Sequence, residues 1–193
     1  MVTSLVEGNS IRPTVRMTGV AKNTVTKLLV ELGAACSGYQ DDACRGLTCR
    51  RLQADEIWAL CHSRAAKVQS DHKGEFGYGD VWAWVAIEAD TKLVPSWLVG
   101  DRWSADAKAF VADLADRMAN RVQLTTDGFH LYLDAVEDAF GPEIDYVIVQ
   151  KIYGAEDGQR RYSPPECIGG RARRVQGNPD PRHVSPPTSS GRT

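Results

Sequence analysis

Two short apolar runs, each with one aspartate, constrain most strongly what this chain can fold into. The first is Leu52–Leu60, which contains Asp55, and the second is Val122–Thr126, which Asp127 follows directly. Both runs have the length and composition of β-strands. Side chains alternate along a strand, so Asp55 and Glu56 are expected on opposite faces, and Glu56 outside any site around Asp55 unless the strand bulges.

The segments around these runs predict a mixed α/β domain. Hydrophobic periodicity indicates strands over residues 52–60, 81–87, 93–99, 122–126 and 146–149, with helices over 105–119 and 132–140. The resulting order, β-β-β-α-β-α-β, is that of a ribonuclease H-like fold. In that arrangement the first and fourth strands are neighbours, so Asp55 and Asp127 are expected to face one another.

A facing pair of aspartates suits a site for divalent metal ions. Mg²⁺ prefers carboxylate oxygens, and two such ions about 3.5–4 Å apart can activate a nucleophile and stabilise a leaving oxygen in phosphodiester chemistry. Asp55 lies in an apolar strand, where a charge is costly unless it binds a metal or a partner. Two other interpretations stay open: Asp55 in a salt bridge, and Asp127 with its following glycine as a simple turn.

The N-terminal segment has the pattern of a helix-turn-helix. Ser10 is a candidate N-cap, Gly19 a turn, and Gly33 a helix stop. The second helix has an apolar face formed by Val25, Leu28, Leu29 and Leu32. A helix in this position can present polar side chains to a DNA major groove. The candidate DNA-binding residues are Arg16, Lys22, Asn23, Thr24, Thr26 and Lys27. The alternative is a helical hairpin that packs on the next domain.

Composition limits the class of protein. The 193 residues have a formal net charge of −2, although arginines concentrate towards the C-terminal end. The five cysteines include no C-x-x-C pair, which fits reduced thiols in a cytoplasm. A zinc site is the less favoured alternative, with the ligands Cys44, Cys49, Cys61 and His62. No apolar run is long enough to span a bilayer, so no membrane partner is expected.

Six stretches carry a resemblance to a known family. They are residues 55–58 (DEIW), 77–82 (GYGDVW), 90–102 (DTKLVPSWLVGDR), 124–128 (LTTDG), 161–164 (RYSP) and 177–181 (GNPDP). These motifs resemble, in the same order, the bacterial insertion-sequence transposases of the IS-one family, over about residues 4 to 185. The resemblance implies a DDE transposase that uses Mg²⁺ or Mn²⁺, with Asp55 and Asp127 as the first two catalytic acids and metal ligands.

The same resemblance implies partners and a location. The partners would be double-stranded DNA, both the terminal repeats of the element and the target, and further copies of the chain in a homo-oligomer. The location would be the bacterial cytoplasm, associated with the nucleoid. The corresponding organisation is a helix-turn-helix over residues 1–36, a linker over 37–50, an incomplete ribonuclease H-like domain over 51–182, and a disordered tail over 183–193.

The tail departs from the family pattern. Where the family has a segment with its third acid, a glutamate, this chain has residues 186–193 (PPTSSGRT). With one choice of synonymous codons, reading from the last base of the Ser185 codon yields Thr-Ser-Tyr-Val-Glu-Arg-Gln-Asn-Leu, the family segment. We therefore expect a frameshifted tail and a chain that is inactive alone. Two alternatives remain: a DNA-binding regulator that inhibits transposition, and a nuclease that uses Glu166 or Asp180 as its third acid.

Overall fold

The computed structural model describes residues 1–75, 77–153 and 167–184. The chain divides into two compact units, Met1–Arg45 and Gly46–Thr193. The first unit contains three helices, α1 (Val2–Val6), α2 (Ile11–Thr18) and α3 (Lys22–Ala43). The predicted disordered tail falls almost entirely outside the described residues, as does Glu166.

A left-handed glycine turn separates α2 from α3. Gly19 has φ 69°, and its backbone N–H donates to the Val15 carbonyl. Ser10 occupies the N-cap position of α2, but its side chain makes no capping hydrogen bond. Val25 on α3 is fully buried. The predicted apolar face is too wide, however, because Leu29 is 41% exposed.

The prediction that α3 stops at Gly33 is wrong. The helix continues to Ala43 and therefore covers half of the predicted linker. A glycine inside a helix costs only about 1 kcal/mol relative to alanine, and Ala34 and Ala35 follow it directly. Those strong helix formers offset the glycine, so it does not act as a stop signal here.

The second unit is built on one six-stranded mixed sheet. Its strands are β1 (Arg51–Cys61), β2 (Gly79–Glu88), β3 (Ser96–Gly100), β4 (Val122–Thr126), β5 (Ile144–Tyr153) and β6 (Cys167–Gln176). Their order is β3-β2-β1-β4-β5-β6. The β1–β2, β2–β3 and β5–β6 pairs are antiparallel, and the β1–β4 and β4–β5 pairs are parallel. This mixed topology is compatible with a ribonuclease H-like fold.

Two helices, α4 (Ser104–Asp116) and α5 (Leu131–Phe140), join the sheet in one hydrophobic core. Trp84 of β2 lies at its centre and is fully buried, with its ring 6.0 Å from that of Phe110 and 5.6 Å from that of Tyr132. Leu52 and Ala54 of β1 belong to the same cluster. Alternate β1 residues therefore point into the core, as the apolar pattern predicts.

Strand β6 was not predicted, because the apolar pattern indicates no strand after residues 146–149. Three arginines and two glycines between residues 169 and 174 hide any alternation of apolar and polar side chains. The strand pairs with β5 along its length, with an irregularity between Tyr146 and Val147. Within the described part of the chain, no helix is both long and apolar enough to cross a membrane.

Candidate metal centre

The first two predicted acids lie where two parallel strands stop pairing. The last paired residues of β1 and β4 are Ala54 and Thr126. Asp55 and Asp127 each come one residue later, and parallel strands run in the same direction, so both aspartates lie at the same end of the pair. This placement follows from the strand register alone.

Glu56 joins these two aspartates, and the prediction that excluded it is wrong. One carboxylate oxygen from each of Asp55, Glu56 and Asp127 lies within 4.8 Å of the other two. No bulge is involved, since the register of β1 with β2 is continuous through both β1 acids. Asp127 lies beyond the end of β4, where its carboxylate can approach side chains from both faces of β1. Alternation of Cβ directions does not fix where a longer side chain ends.

Two hydrogen-bond donors contact Asp55, but they only partly offset the energetic cost of burying its charge. Its Oδ2 lies 3.4 Å from Lys151 Nζ, and its Oδ1 accepts from the Glu56 backbone N–H at 2.9 Å. Burial raises the pKa of Asp55, and the nearby charge of Asp127 raises it further, against the opposing effect of Lys151. The carboxylate is therefore costly to keep ionised in the folded protein.

Glu56 is more deeply enclosed. Its side chain is 1% exposed, and its Oε2 accepts from Arg102 Nη2 at 2.9 Å. Its Oε1 is buried without a hydrogen-bond partner among the described residues, as is the Tyr132 hydroxyl. Burial raises the pKa of Glu56, with a contribution from Asp127, although Tyr132 and Arg102 nearby lower it. Burial also raises the pKa of Tyr132 above its ordinary 10.0, which keeps the phenol neutral.

Arg102 connects the acids to an aromatic wall. Its guanidinium carbon lies 3.8 Å from the centre of the Phe129 ring and 4.6 Å from that of Trp82. Phe129 is fixed in turn, because its backbone N–H donates to Asp127 Oδ1 at 2.9 Å. Cation–π contacts and an ion pair together orient the guanidinium.

A groove of about 740 Å³ opens beside Asp127. Its lining residues are Arg102, Asp127, Gly128, Phe129, Gln150, Lys151, Ile152 and Arg171. Three of these side chains carry positive charge. The groove thus combines one acid of the cluster with a cationic wall, an arrangement that suits a phosphate-bearing ligand.

The residues present fit a divalent cation. Hard ions such as Mg²⁺ and Mn²⁺ bind carboxylate oxygens, and three converge here. The unpartnered Oε1 of Glu56 is an acceptor that a cation would satisfy. In the described part of the chain this is the one such group, and it includes neither the proposed zinc ligands (Cys44, Cys49, Cys61 and His62) nor Asp180. Among the described residues, the four proposed zinc ligands therefore do not form such a group.

Asp180 has a structural position instead. Its carboxylate accepts from Arg182 Nη2 at 2.6 Å, and its backbone N–H and carbonyl both bond the side-chain amide of Gln123. The Arg182 contacts lower the pKa of Asp180. These bonds connect the chain after β6 to β4, and Asp180 lies outside the group of Asp55, Glu56 and Asp127.

The other candidate site residues belong to the helical unit. Lys22, Asn23, Thr24, Thr26 and Lys27 lie on the first turns of α3, and Arg16 lies in the last turn of α2. All six are exposed. Lys27 approaches Glu31 at 3.6 Å, and the Thr26 hydroxyl donates to the Lys22 carbonyl. A set of polar side chains at the start of one exposed helix is available for contact with a ligand.

No family model matches the chain, and no curated protein matches it. Among solved structures, the chain is similar to one described as a piggyBac transposase synaptic complex with hairpin DNA. The TM-score is 0.34 and the identity 11%, over 57% of this chain and 24% of that chain. The match therefore spans about a quarter of that protein, and a similarity at this level does not bear on function.

Proposed function

We propose that this chain is a DNA transposase of the DDE type, related to the insertion-sequence transposases of the IS-one family. The observation that supports this most directly is the convergence of Asp55, Glu56 and Asp127 within 4.8 Å at the end of the β1–β4 pair. The mixed sheet is compatible with a ribonuclease H-like fold, and a groove with cationic walls adjoins the acids.

In this proposal Asp55 and Asp127 hold Mg²⁺ or Mn²⁺. The bound ion supplies activation of a water or a 3′ hydroxyl and stabilisation of the leaving oxygen. Arg102, Lys151 and Arg171 contact the phosphates of the DNA strand that enters the groove. The Phe129 ring packs against the Arg102 guanidinium, so the orientation of this guanidinium does not change when the DNA strand binds.

The helical unit would recognise the ends of the element. The exposed residues on the first turns of α3 can contact base edges and phosphates in a major groove, with Arg16 as a further phosphate contact. The partners are thus double-stranded terminal repeats and target DNA. A homo-oligomer would bring two element ends together.

Strand cleavage is the direct test. The protein is incubated with labelled duplexes that carry the ends of the DNA element encoding it, in Mg²⁺ or in EDTA. The tail lacks the third acid of the family and predicts an inactive chain, but Glu56 supplies a third carboxylate beside Asp55 and Asp127. Mg²⁺-dependent nicking is therefore expected for the wild type, against the prediction from the tail, and is expected to be lost in Asp55→Asn and Asp127→Asn. Asp145→Asn, which alters a carboxylate outside the acidic group, is the control and should still cut. Cutting that persists in both site variants would contradict the proposal.

A regulator of transposition is the second candidate function. The candidate DNA-binding residues all belong to Met1–Arg45, a compact unit separate from the one that holds the acids. DNA recognition therefore does not require the acidic group. Salt-dependent binding of the wild type to the element ends, without cleavage in Mg²⁺ or Mn²⁺, would favour this function over the enzyme.

A further inference from the structure

We infer that Glu56 is a ligand of the divalent cation, alongside Asp55 and Asp127. The inference rests on the proposed function, which assigns a cation to the two aspartates, and it adds a ligand that the strand pattern excludes. A Glu56 carboxylate oxygen lies within 4.8 Å of an oxygen from each aspartate. A single ion bound between the aspartates would therefore lie within reach of Glu56.

The environment of Glu56 points to a missing partner. Its side chain is 1% exposed, and Arg102 occupies only one of the two carboxylate oxygens. The other oxygen, Oε1, is buried and accepts no hydrogen bond of normal geometry in the described chain, although the Tyr132 hydroxyl lies close enough to lower the pKa of Glu56. A buried carboxylate oxygen left without a donor is costly. A cation at the cluster would remove that cost by direct coordination.

The charges around the cluster leave room for one divalent ion. Three carboxylates meet two cations, Lys151 at 3.4 Å from Asp55 and Arg102 at 2.9 Å from Glu56. One negative charge therefore remains uncompensated within the group. Adding a divalent ion leaves a single positive charge, which a phosphate oxygen from the groove would balance.

The rival explanation is that Glu56 only positions Arg102. The two explanations predict different cation affinities for Glu56→Gln, which should bind the ion more weakly only if Glu56 is a ligand. If Glu56 is a ligand, Arg102→Met removes a positive charge near the ion and frees a carboxylate oxygen, so cation affinity should stay the same or rise. If Glu56 matters only through Arg102, then Arg102→Met and Glu56→Gln should impair the protein alike and leave cation affinity unchanged.

The experiment is a calorimetric titration of the full chain with Mn²⁺ in the absence of DNA. Glu56→Gln should weaken Mn²⁺ binding by about tenfold or more, as should Asp127→Asn, because each removes one of three charged oxygen ligands. Asp113→Asn is the matched control: Asp113 is bound by Arg117 at 2.8 Å but lies outside the acidic group. Its Mn²⁺ affinity should equal that of the wild type.

The outcomes separate this inference from the proposed function. If Asp55→Asn and Asp127→Asn lose Mn²⁺ but Glu56→Gln stays within about twofold of the wild type, the Glu56 assignment fails alone. If the wild type does not bind Mn²⁺, the metal site fails with it. Weakening of Mn²⁺ binding by Arg102→Met to the level of Glu56→Gln would also overturn the assignment.

A measurement on the wild type covers the case in which Glu56→Gln does not fold. In protein with ¹³C-labelled glutamate carboxyls, electron–nuclear double resonance of bound Mn²⁺ should show an isotropic ¹³C coupling, because such a coupling passes through the metal–oxygen bond. Glu56 is the one glutamate of the acidic group, so the coupling would report its coordination. Bound Mn²⁺ without an isotropic ¹³C coupling would contradict the inference.

Discussion

Carboxylates occur at two ends of the central parallel strands, in opposite electrostatic settings. At the start of β5, Asp145 Oδ1 accepts from Arg121 Nη2 and from the Asn178 backbone N–H, each at 2.8 Å. Hydrogen bonds from Arg121 lower the pKa of Asp145. At the far end, burial raises the pKa of Asp55 and Glu56.

The comparison shows that the ionised carboxylate of Asp145 stabilises the fold, whereas the ionised carboxylates of Asp55 and Glu56 destabilise it. Asp145 gains donors when the chain folds, so its ionised form is favoured in the native state. Asp55 and Glu56 lose water and meet the charge of Asp127, so their ionised forms are disfavoured. Destabilised charges of this kind mark candidate functional sites.

The largest expected effect on stability is at Gly177, where the backbone passes close to Asp145. Its φ is 68°, and a Cβ there would overlap the Ile144 carbonyl oxygen and the Asp145 carboxylate. Gly177→Ala should lower the free energy of unfolding by about 3 kcal/mol or more, measured by urea denaturation. Gly169→Ala, also on or near β6 but with open space around its Cβ, should change it little. An equal loss in both variants would show that the close approach is not what matters.

The next prediction compares the unfolding free energies of two variants, one with a carboxylate removed at the start of β5 and one with a carboxylate removed at the acidic group. Asp145→Asn should cost about 1–2 kcal/mol of unfolding free energy, because it weakens hydrogen bonds to a charged partner. Asp127→Asn should instead stabilise by about 0.5–1 kcal/mol, because it removes charge repulsion within the acidic group and keeps the Oδ1 acceptor for Phe129. Denaturation of the two variants side by side measures both. Two losses of similar size would break the comparison.

The pH dependence of these effects should also have opposite signs. The folded pKa of Asp145 lies below its ordinary 3.8, so its stabilisation is present above that pH and lost as pH falls through the folded pKa. The folded pKa of Asp55 lies above its ordinary 3.8, so its destabilisation is present at neutral pH. That penalty shrinks as pH falls through the folded pKa and is gone below 3.8.

The measurement is the unfolding free energy of the wild type and both variants between pH 7 and pH 3. The advantage of the wild type over Asp145→Asn should begin to narrow below about pH 3.8, because the folded pKa of Asp145 lies lower still. The advantage of Asp127→Asn over the wild type should close at the acidic end, because protonated Asp55 and Glu56 no longer repel Asp127. A gap that is independent of pH would rule out charge as its cause.

The last expected effect is stabilisation by a cation at one end only. Mg²⁺ at about tenfold excess over its dissociation constant should raise the unfolding free energy by roughly 1.4 kcal/mol, seen as a higher thermal midpoint. The shift should be absent in Asp127→Asn, kept in Asp145→Asn, and reversed in the wild type by EDTA. An equal shift in both variants would place the ion elsewhere.

Local sequence patterns predict most of the sheet, but they predict neither β6 nor the presence of Glu56 and Arg102 at the acidic group. The first five strands and the two helices between them are present close to their predicted bounds, because apolar residues are concentrated in these segments. The exception is the third strand, which begins at Ser96 instead of residue 93. The arginine-rich β6 lacks that alternation and forms because β5 offers it an edge. Helix α3 continues through Gly33 for a local reason instead, because the strong helix formers that follow the glycine offset its low helix propensity.

The sequence by itself determined where Asp55 and Asp127 lie in the sheet. The first strand run contains Asp55 and the fourth is followed directly by Asp127, and the predicted ribonuclease H-like strand order makes these two strands neighbours, so the proximity of the aspartates was expected. Only the tertiary structure decided that Glu56 joins them and that Arg102 is held between Glu56 and the Phe129 ring. Periodicity states which way a Cβ points, but side-chain length and the positions where neighbouring strands stop determine which charged atoms meet.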